Sequence, residues 1–331
     1  MADGAISEGL GLDRMLVLEV ARLTEATAIA AARLRGRGNE MAADQAAIET
    51  MHRELARVDF KGEVVVGEGE QDEATQLFVG EVLGAGKDTS VDIAVDPLEG
   101  TTICAKAMPN ALSVLAISER GGLLRVPEMY MDKIAVGPGY PQGIVDLDKS
   151  PAENLKALAD AKNVPITRIT ACVLDRPRHA DLIKSVRETG AAIMLIPDGD
   201  IAGIIWTTAP RDTCIDIYMG TGGAPEGVLA AAALHCIGGQ MQGRLQATNA
   251  EQRRRAQSMG FKDLTRKLSL QEMAFGDIIF SATGVTAGAL LDGVRFFDKG
   301  AETETLVMRS RSGTVRRIRT TVREAAGRHV D

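Results

Sequence analysis

Aromatic residues make up only 3% of this 331-residue chain. That scarcity argues against a surface built to stack carbohydrate rings or bases. Four cysteines, Cys104, Cys172, Cys214 and Cys236, are widely scattered and form no CxxC pair. They read as small buried apolar residues in a reducing compartment. The four histidines, His52, His179, His235 and His329, make no HxH or HExxH pattern, which excludes a zinc hydrolase of that kind. Positive charge is in deficit, with a net charge of −7. A general nucleic-acid binder is usually basic, so no nucleic-acid partner is expected. No apolar stretch approaches the roughly 20 residues that cross a bilayer. The opening "MADGAISEGLGLDRM" lacks a basic region followed by an apolar core, so no signal peptide, no membrane partner and a cytoplasmic location are expected.

What remains is an ordinary globular composition, 45% hydrophobic and 25% charged, with 35 glycines. The length suits two packed subdomains. Leu16, Val20, Leu23, Ala26, Ala30 and Leu34 recur at helical spacing, which predicts a helix over Leu12–Arg35 stopped by "GRGN". A second helix is predicted over Ala42–Val58 and a third over Glu73–Leu83. Short strands are predicted at Val64–Val66, Val91–Val95, Leu112–Ile117 and Lys133–Val136. A polar stretch with Pro and Gly, Gly137–Pro151, reads as the seam between halves, giving an α+β subdomain over 1–150 and an α/β subdomain over 151–331. The second half alternates strand and helix: Ile169–Leu174, Ala180–Thr189, Ala192–Ile196, Ile201–Thr207, Asp216–Met219, then a helix opening near Pro225. That rhythm predicts a layered α/β sheet with helices on its faces. The arginine-rich end, "MRSRSGTVRRIRTTVREAAGR", reads as an exposed edge strand or hairpin with arginines outward.

Carboxylates collect in glycine-rich strand ends: "GEGEQDE", "VDPLEGTT", "IPDGDI" and "GTGGAPEG", with Asp44 added from the second helix. Ligands of open α/β sheets gather at such ends, and so many acids in one crevice require a cation between them. The donor set is all oxygen, which suits Mg²⁺ or Mn²⁺. In "VDPLEGTT", Pro97 stiffens a turn that lets Asp96 and Glu99 face one point, and Gly100 permits close backbone approach. Thr101 and Thr102 begin a helix-like stretch whose free N–H groups suit a phosphate. This chemistry points to metal-assisted phosphoryl transfer to water.

The "DPLEGT" run resembles the signature of the lithium-sensitive, metal-dependent phosphatase superfamily. Together with "GEGEQDEA", "DIAVDPLEGTT", "MYMDKIAVGPG", "LDRPRH", "IPDGDIA", "GGAPEGVLAAAAL" and "IFSATGVT", the chain resembles class II fructose-1,6-bisphosphatase from about residue 10 to 320. The resemblance implies a layered α-β-α-β-α fold and hydrolysis of the 1-phosphate of fructose 1,6-bisphosphate, in gluconeogenesis or a pentose-regenerating cycle. It implies Asp44 and Glu68 as ligands of one metal and Asp96, Glu99 and Glu226 as ligands of a second, so that most metal ligands fall in the first subdomain. Asp72, with Thr101, is implied in positioning or deprotonating the attacking water, and Glu99, Gly100 and Thr101 in holding the scissile phosphate. Tyr130, Arg176, Pro177, Arg178, Asp198, Gly199, Asp200 and Gly223 are implied contacts of the sugar and distal phosphate, and guanidinium groups suit that phosphate. A homo-oligomer, dimer or tetramer, is expected. The chain departs from the family pattern at Asn39, Glu40 and Met41, where an acid followed by lysine is usual, and at Thr102. Sedoheptulose 1,7-bisphosphate is the alternative substrate. An inositol monophosphatase would leave the two arginines of "DRPRH" without a second phosphate. A non-catalytic phosphosugar-binding protein would be marked by loss of an acid, and every acid is present.

Overall fold

Two helices lead the chain in a computed structural model that describes residues 12–71, 74–86 and 90–323. α1 (Leu16–Ala32) and α2 (Glu40–Leu55) follow the predicted apolar spacing. Asn39 starts α2 by accepting the Ala42 N–H at 3.0 Å, the ordinary work of an N-cap asparagine. Then come β1 (Lys61–Val66), β2 (Val82–Leu83), β3 (Ser90–Glu99), the short helix α3 (Thr101–Ala105), β4 (Leu112–Glu119) and β5 (Tyr130–Val136). The middle of the chain runs α4 (Pro151–Lys162), β6 (Thr170–Leu174), α5 (Ala180–Glu188), β7 (Ala192–Ile196), α6 (Asp200–Trp206), α7 (Pro210–Thr213), β8 (Ile217–Gly223) and α8 (Ala224–Ile237). It closes with β9 (Gln240–Gln246), α9 (Ala250–Ser258), β10 (Leu268–Ser269), α10 (Leu270–Met273), β11 (Ile278–Gly284), β12 (Arg295–Phe297), β13 (Gly300–Arg309) and β14 (Thr314–Arg323). Among the described residues, no helix is long and apolar enough to cross a membrane.

The strands form two sheets. The first has the order β12-β13-β11-β4-β3-β1-β2, with β14 added along β13; the second is β10-β9-β5-β8-β6-β7. Alternation along each strand shows what covers each face. On β4, Leu115 and Ile117 join a cluster with α1 and α2, while Val114 and Ala116 join a cluster shared with α6 and α8. On β5, Met131 and Ala135 join that same inner cluster, while Ile134 and Val136 pack with Leu155 of α4 and Val186 of α5. Helices therefore lie outside both sheets and between them, which is the expected α-β-α-β-α layering. Strands buried on both faces read as continuous apolar runs, as β4 does. α8 fills the middle layer and is apolar all round, with Val228 to Leu234 essentially without solvent exposure.

Three expectations are corrected. No helix forms over 74–83: Leu77 and Gly80 take φ values of 56° and 97°. Backbone groups there bond to β1 instead, Gly80 N–H to the Val64 carbonyl at 2.8 Å and Val64 N–H to the Glu81 carbonyl at 2.8 Å. The division at residue 150 cuts across the sheets, because β5 precedes the seam yet pairs with β8 and β9, and β11 to β14 return to the first sheet. Third, β3 does not end at Val95 but continues through Pro97 to Glu99. The arginine-rich end does form a hairpin, β13 with β14. Arg317 and Arg319 of β14 pair with Asp212 and Asp292 at 3.3 and 2.9 Å; residues from 324 onward lie outside the described residues.

Candidate active site

A cleft of about 720 Å³ opens between the two sheets where β1, β3, β6, β7 and β8 end. The acids of "VDPLEGTT" reach it through a β-bulge rather than a turn. Asp96 pairs with Val114 and Glu99 with Leu112, so three steps along β3 match two along β4. Strict alternation would send residues 96 and 99 to opposite faces; the extra residue lets both carboxylates line one cleft. Gly100 then turns the chain at φ 82° into α3, with Thr101 at the cleft wall.

Asp44 of α2, Glu68 after β1, and Glu226 in the first turn of α8 line the same cleft. So do Tyr130, Arg176, Arg178, Asp198, Gly199, Asp200 and Gly223. Pro177 opens the 3₁₀ turn between the two arginines and is not part of the wall. Asp72 lies outside the described residues. The glycine pair at the end of β8 makes room for two cleft carboxylates: a Cβ on Gly222 would lie 1.8 Å from Asp200 Oδ2, and one on Gly223 1.9 Å from Glu226 Oε2, so either would push a carboxylate from its place.

Burial first, and then the neighbouring carboxylates, raise the pKa values of these acids. Burial, then repulsion from Asp44, Glu226 and Glu128, pushes Glu68 up to about 8. Burial and Asp200 push Glu226 up to about 7, against the lowering influence of Lys133. Asp96 stands well above the usual carboxylate range through burial and the charges of Glu99, Glu68, Glu226 and Asp44. Glu99 is likewise raised by burial and Asp200, and Asp44 by burial. Among the described residues, no group of three or more such side chains is arranged to hold a metal ion as it stands. Glu99 is turned to α6 instead, its two oxygens accepting the Ile201 and Ala202 N–H groups at 2.6 and 3.2 Å. The residues nevertheless fit a hard divalent cation: the donors are all oxygen, the charges repel, and Glu226 Oε2 is buried with no hydrogen-bond partner.

Arg178 is held by backbone. Arg178 Nε and Nη2 both donate to the Thr221 carbonyl, at 3.0 and 2.7 Å, and its guanidinium lies 4.8 Å from the Tyr130 ring centre. Thr221 is fixed in turn, because its N–H donates to His179 Nε2 at 2.8 Å. His179 must then carry its proton on Nδ1, which donates to the Leu174 carbonyl at 2.8 Å, and burial lowers its pKa. One edge of Arg178 is thus occupied and the other is left for a ligand. Arg176 lies 3.5 Å from Asp198. Asp198 is raised by burial, with Glu40 among the charges that push it up, so the exposed acid in the "GRGNE" departure acts on this side of the cleft.

Sequence reasoning missed Glu128 and Lys133. Glu128 lines the cleft. Lys133 Nζ is ion-paired with Asp200 and donates to the Gly223 carbonyl at 2.7 Å. Both lie in or beside "MYMDKIAVGPG", and period-2 counting from Met131 and Ala135 would have turned Lys133 inward.

The model of the bacterial fructose-1,6-bisphosphatase family, glpX-encoded, matches residues 14–322. A D-fructose 1,6-bisphosphatase class 2/sedoheptulose 1,7-bisphosphatase of Synechococcus elongatus is 41% identical over 93% of this chain and 96% of its own length. One of Synechococcus sp. strain JA-2-3B'a(2-13), with the same description, is 42% identical over the same shares. The solved structure of extragenic suppressor protein suhB from Bartonella henselae aligns over 59% of this chain and 74% of its own, at 14% identity and a TM-score of 0.34, too slight a likeness to argue from. On the family match and the relatives' identity across nearly the whole length, this chain belongs to the class II, glpX-encoded bacterial fructose-1,6-bisphosphatases.

Proposed function

We propose that this chain hydrolyses fructose 1,6-bisphosphate to fructose 6-phosphate and phosphate, with the residues of the cleft in the following roles. The observation that carries this reading is one cleft with crowded carboxylates and two guanidinium groups, Arg178 braced on the Thr221 carbonyl and Arg176 beside Asp198. Such a site is built for an anion with two charged ends. Asp44, Glu68, Asp96, Glu99 and Glu226 are the residues that would hold divalent metal, Mg²⁺ or Mn²⁺, with Glu99 also within reach of substrate. Bound there, the metal supplies charge neutralisation at the phosphate and a more acidic water.

This chain's own residues do the rest. The Gly100 backbone and the Thr101 hydroxyl hold the 1-phosphate at the end of β3. Arg176 and Arg178 receive the 6-phosphate, Arg178 through the edge that Thr221 leaves free. Tyr130, Asp198, Gly199, Asp200 and Gly223 surround the sugar, and Pro177 fixes the turn that sets the two arginines apart. Water adds to phosphorus as the bond to the C1 oxygen breaks. A carboxylate takes the water's proton and passes it to the departing C1 oxygen, so that the sugar alcohol and hydrogen phosphate are released. Asp72 is assigned that proton through the resemblance, together with Thr101.

The relatives named for two substrates favour a second activity, on sedoheptulose 1,7-bisphosphate, in the same cleft. The deciding experiment is phosphate release by the purified chain in Mn²⁺ or Mg²⁺, offered each bisphosphate and fructose 6-phosphate in parallel. Release from fructose 1,6-bisphosphate that a chelator abolishes supports the reading. Release that ignores the chelator, or equal turnover of the monophosphate, defeats it.

A further inference from the structure

Asp44 and Glu68 come from different elements, α2 and the loop that leaves β1. For both to serve one cation, something has to hold that loop in register with the helix. The described structure contains such a connection, and it runs through His52. This residue lies two turns beyond Asp44 on α2, with Nε2 at 2.9 Å from Glu81 Oε1. The other Glu81 oxygen accepts the Leu77 N–H at 2.5 Å. The Leu77 carbonyl accepts the Glu68 N–H at 3.0 Å.

Each step is locally constrained. Leu77 stands at φ 56°, a left-handed backbone that leucine adopts only where its surroundings impose it. Its side chain is wholly buried in the same cluster as Met51 and Leu55 of α2. A Cβ on Gly67 would lie 2.0 Å from the Leu77 carbonyl oxygen, so only glycine lets that oxygen reach Glu68. The His52 and Glu81 side chains are 25% and 15% exposed, which shields their bond from water.

We propose that His52 and Glu81 are positioning residues, a relay from α2 through Leu77 that holds Glu68 in register with Asp44 and thereby sets the affinity for the divalent ion. The proposal rests on the reading of Asp44 and Glu68 as ligands of one metal. Outer partners of metal ligands act in this way, by fixing the geometry of groups they support.

The test is Mn²⁺ binding to the chelator-treated full chain by titration calorimetry, with thermal unfolding measured without metal. His52→Leu keeps bulk and removes the bond; His52→Gln offers an amide N–H in its place; Glu81→Ala removes both acceptors. His52→Leu and Glu81→Ala should each weaken Mn²⁺ binding roughly tenfold or more. His52→Gln should stay within about twofold, and His52→Leu combined with Glu81→Ala should be no weaker than Glu81→Ala alone. If leucine prevents folding, His52→Asn, whose amide falls short of Glu81, takes its place. Asp44→Asn and Glu68→Gln are run alongside. If either binds Mn²⁺ like the parent, the shared-metal reading fails and the relay falls with it. If both lose Mn²⁺ while His52→Leu and Glu81→Ala keep it, the relay is overturned and the metal reading stands. Equal losses in His52→Leu and His52→Gln mark a packing role only and also overturn it.

Discussion

Replacing Lys133 by Met tests how β5, the start of α6 and the end of β8 are tied together at the cleft. The Lys133 side chain has no solvent exposure, and its ammonium meets the Asp200 carboxylate and the Gly223 carbonyl. Methionine keeps most of the stem and removes the charge. Asp200, itself only 5% exposed, is then left without its ion-pair partner beside Glu99 and Glu226. Breaking one side of a buried ion pair costs about 3–5 kcal/mol. Unfolding entropy of about 2.1 cal/mol/K per residue over 331 residues converts that into a melting temperature lower by roughly 4–7 °C. The double variant Lys133→Met/Asp200→Leu leaves no charge unpaired and should recover most of the loss. Turnover should not recover, because the Asp200 carboxylate proposed for the sugar is gone. Calorimetry and steady-state phosphate release on the parent, both single variants and the double variant read these effects separately. A single variant that melts within about 1 °C of the parent, on the same entropy scale, would refute the reasoning. So would a double variant no more stable than the single.

Two further outcomes follow from the same geometry. Glu68 and Glu226 sit at about 8 and about 7 in the fold against 4.5 when unfolded, so the folded chain retains protons that the unfolded chain releases. The contribution of these two groups to the stability of the chelated protein is therefore fully present below about pH 4.5 and is lost as pH climbs toward 8; a melting temperature that holds level or rises between pH 6 and 8 contradicts this. Arg178→Ala removes the guanidinium braced on Thr221 and stacked on Tyr130. It should raise KM for fructose 1,6-bisphosphate by roughly ten- to a hundredfold, the worth of a charge-assisted contact, with a smaller change in kcat. An equal change for a substrate lacking the 6-phosphate would remove Arg178 from that role.

The sequence disclosed the site more fully than it disclosed the chain's path. Glycines, acids and arginines at strand ends carry their chemistry in short motifs, so Asp96, Glu99, Arg176, Arg178 and Asp200 were legible without the fold. The alternating strands and helices of the second half were equally local. What failed was non-local. Residues 74–83 have helical spacing, yet their backbone bonds belong to β1, sixteen residues back in the pairing of Gly80 with Val64. β11 to β14 carry no mark saying that they return to the first sheet. The bulge at Asp96 and Glu99 depends on β4 as the strand opposite, and the proline that suggested a turn is compatible with both. Lys133 was hidden for a related reason: a lysine in a strand reads as exposed until its neighbours are known to be buried.

The middle layer also fixes a distance. α8 contains four consecutive alanines, Ala230 to Ala233, each with no exposure, and both sheets press against it. Alanine is the smallest side chain that still favours a helix, so this layer is as thin as a helical spacer can be. Asp96 and Glu99 lie on β3 and Glu68 follows β1, in the first sheet; Arg176 and Arg178 follow β6 and Asp198 follows β7, in the second. The thickness of the alanine helix is therefore the gauge between the two ends at which a bisphosphate is received. Glu226, in the first turn of the same helix, lines the cleft, so the element that separates the two seats also supplies one of the site's acids.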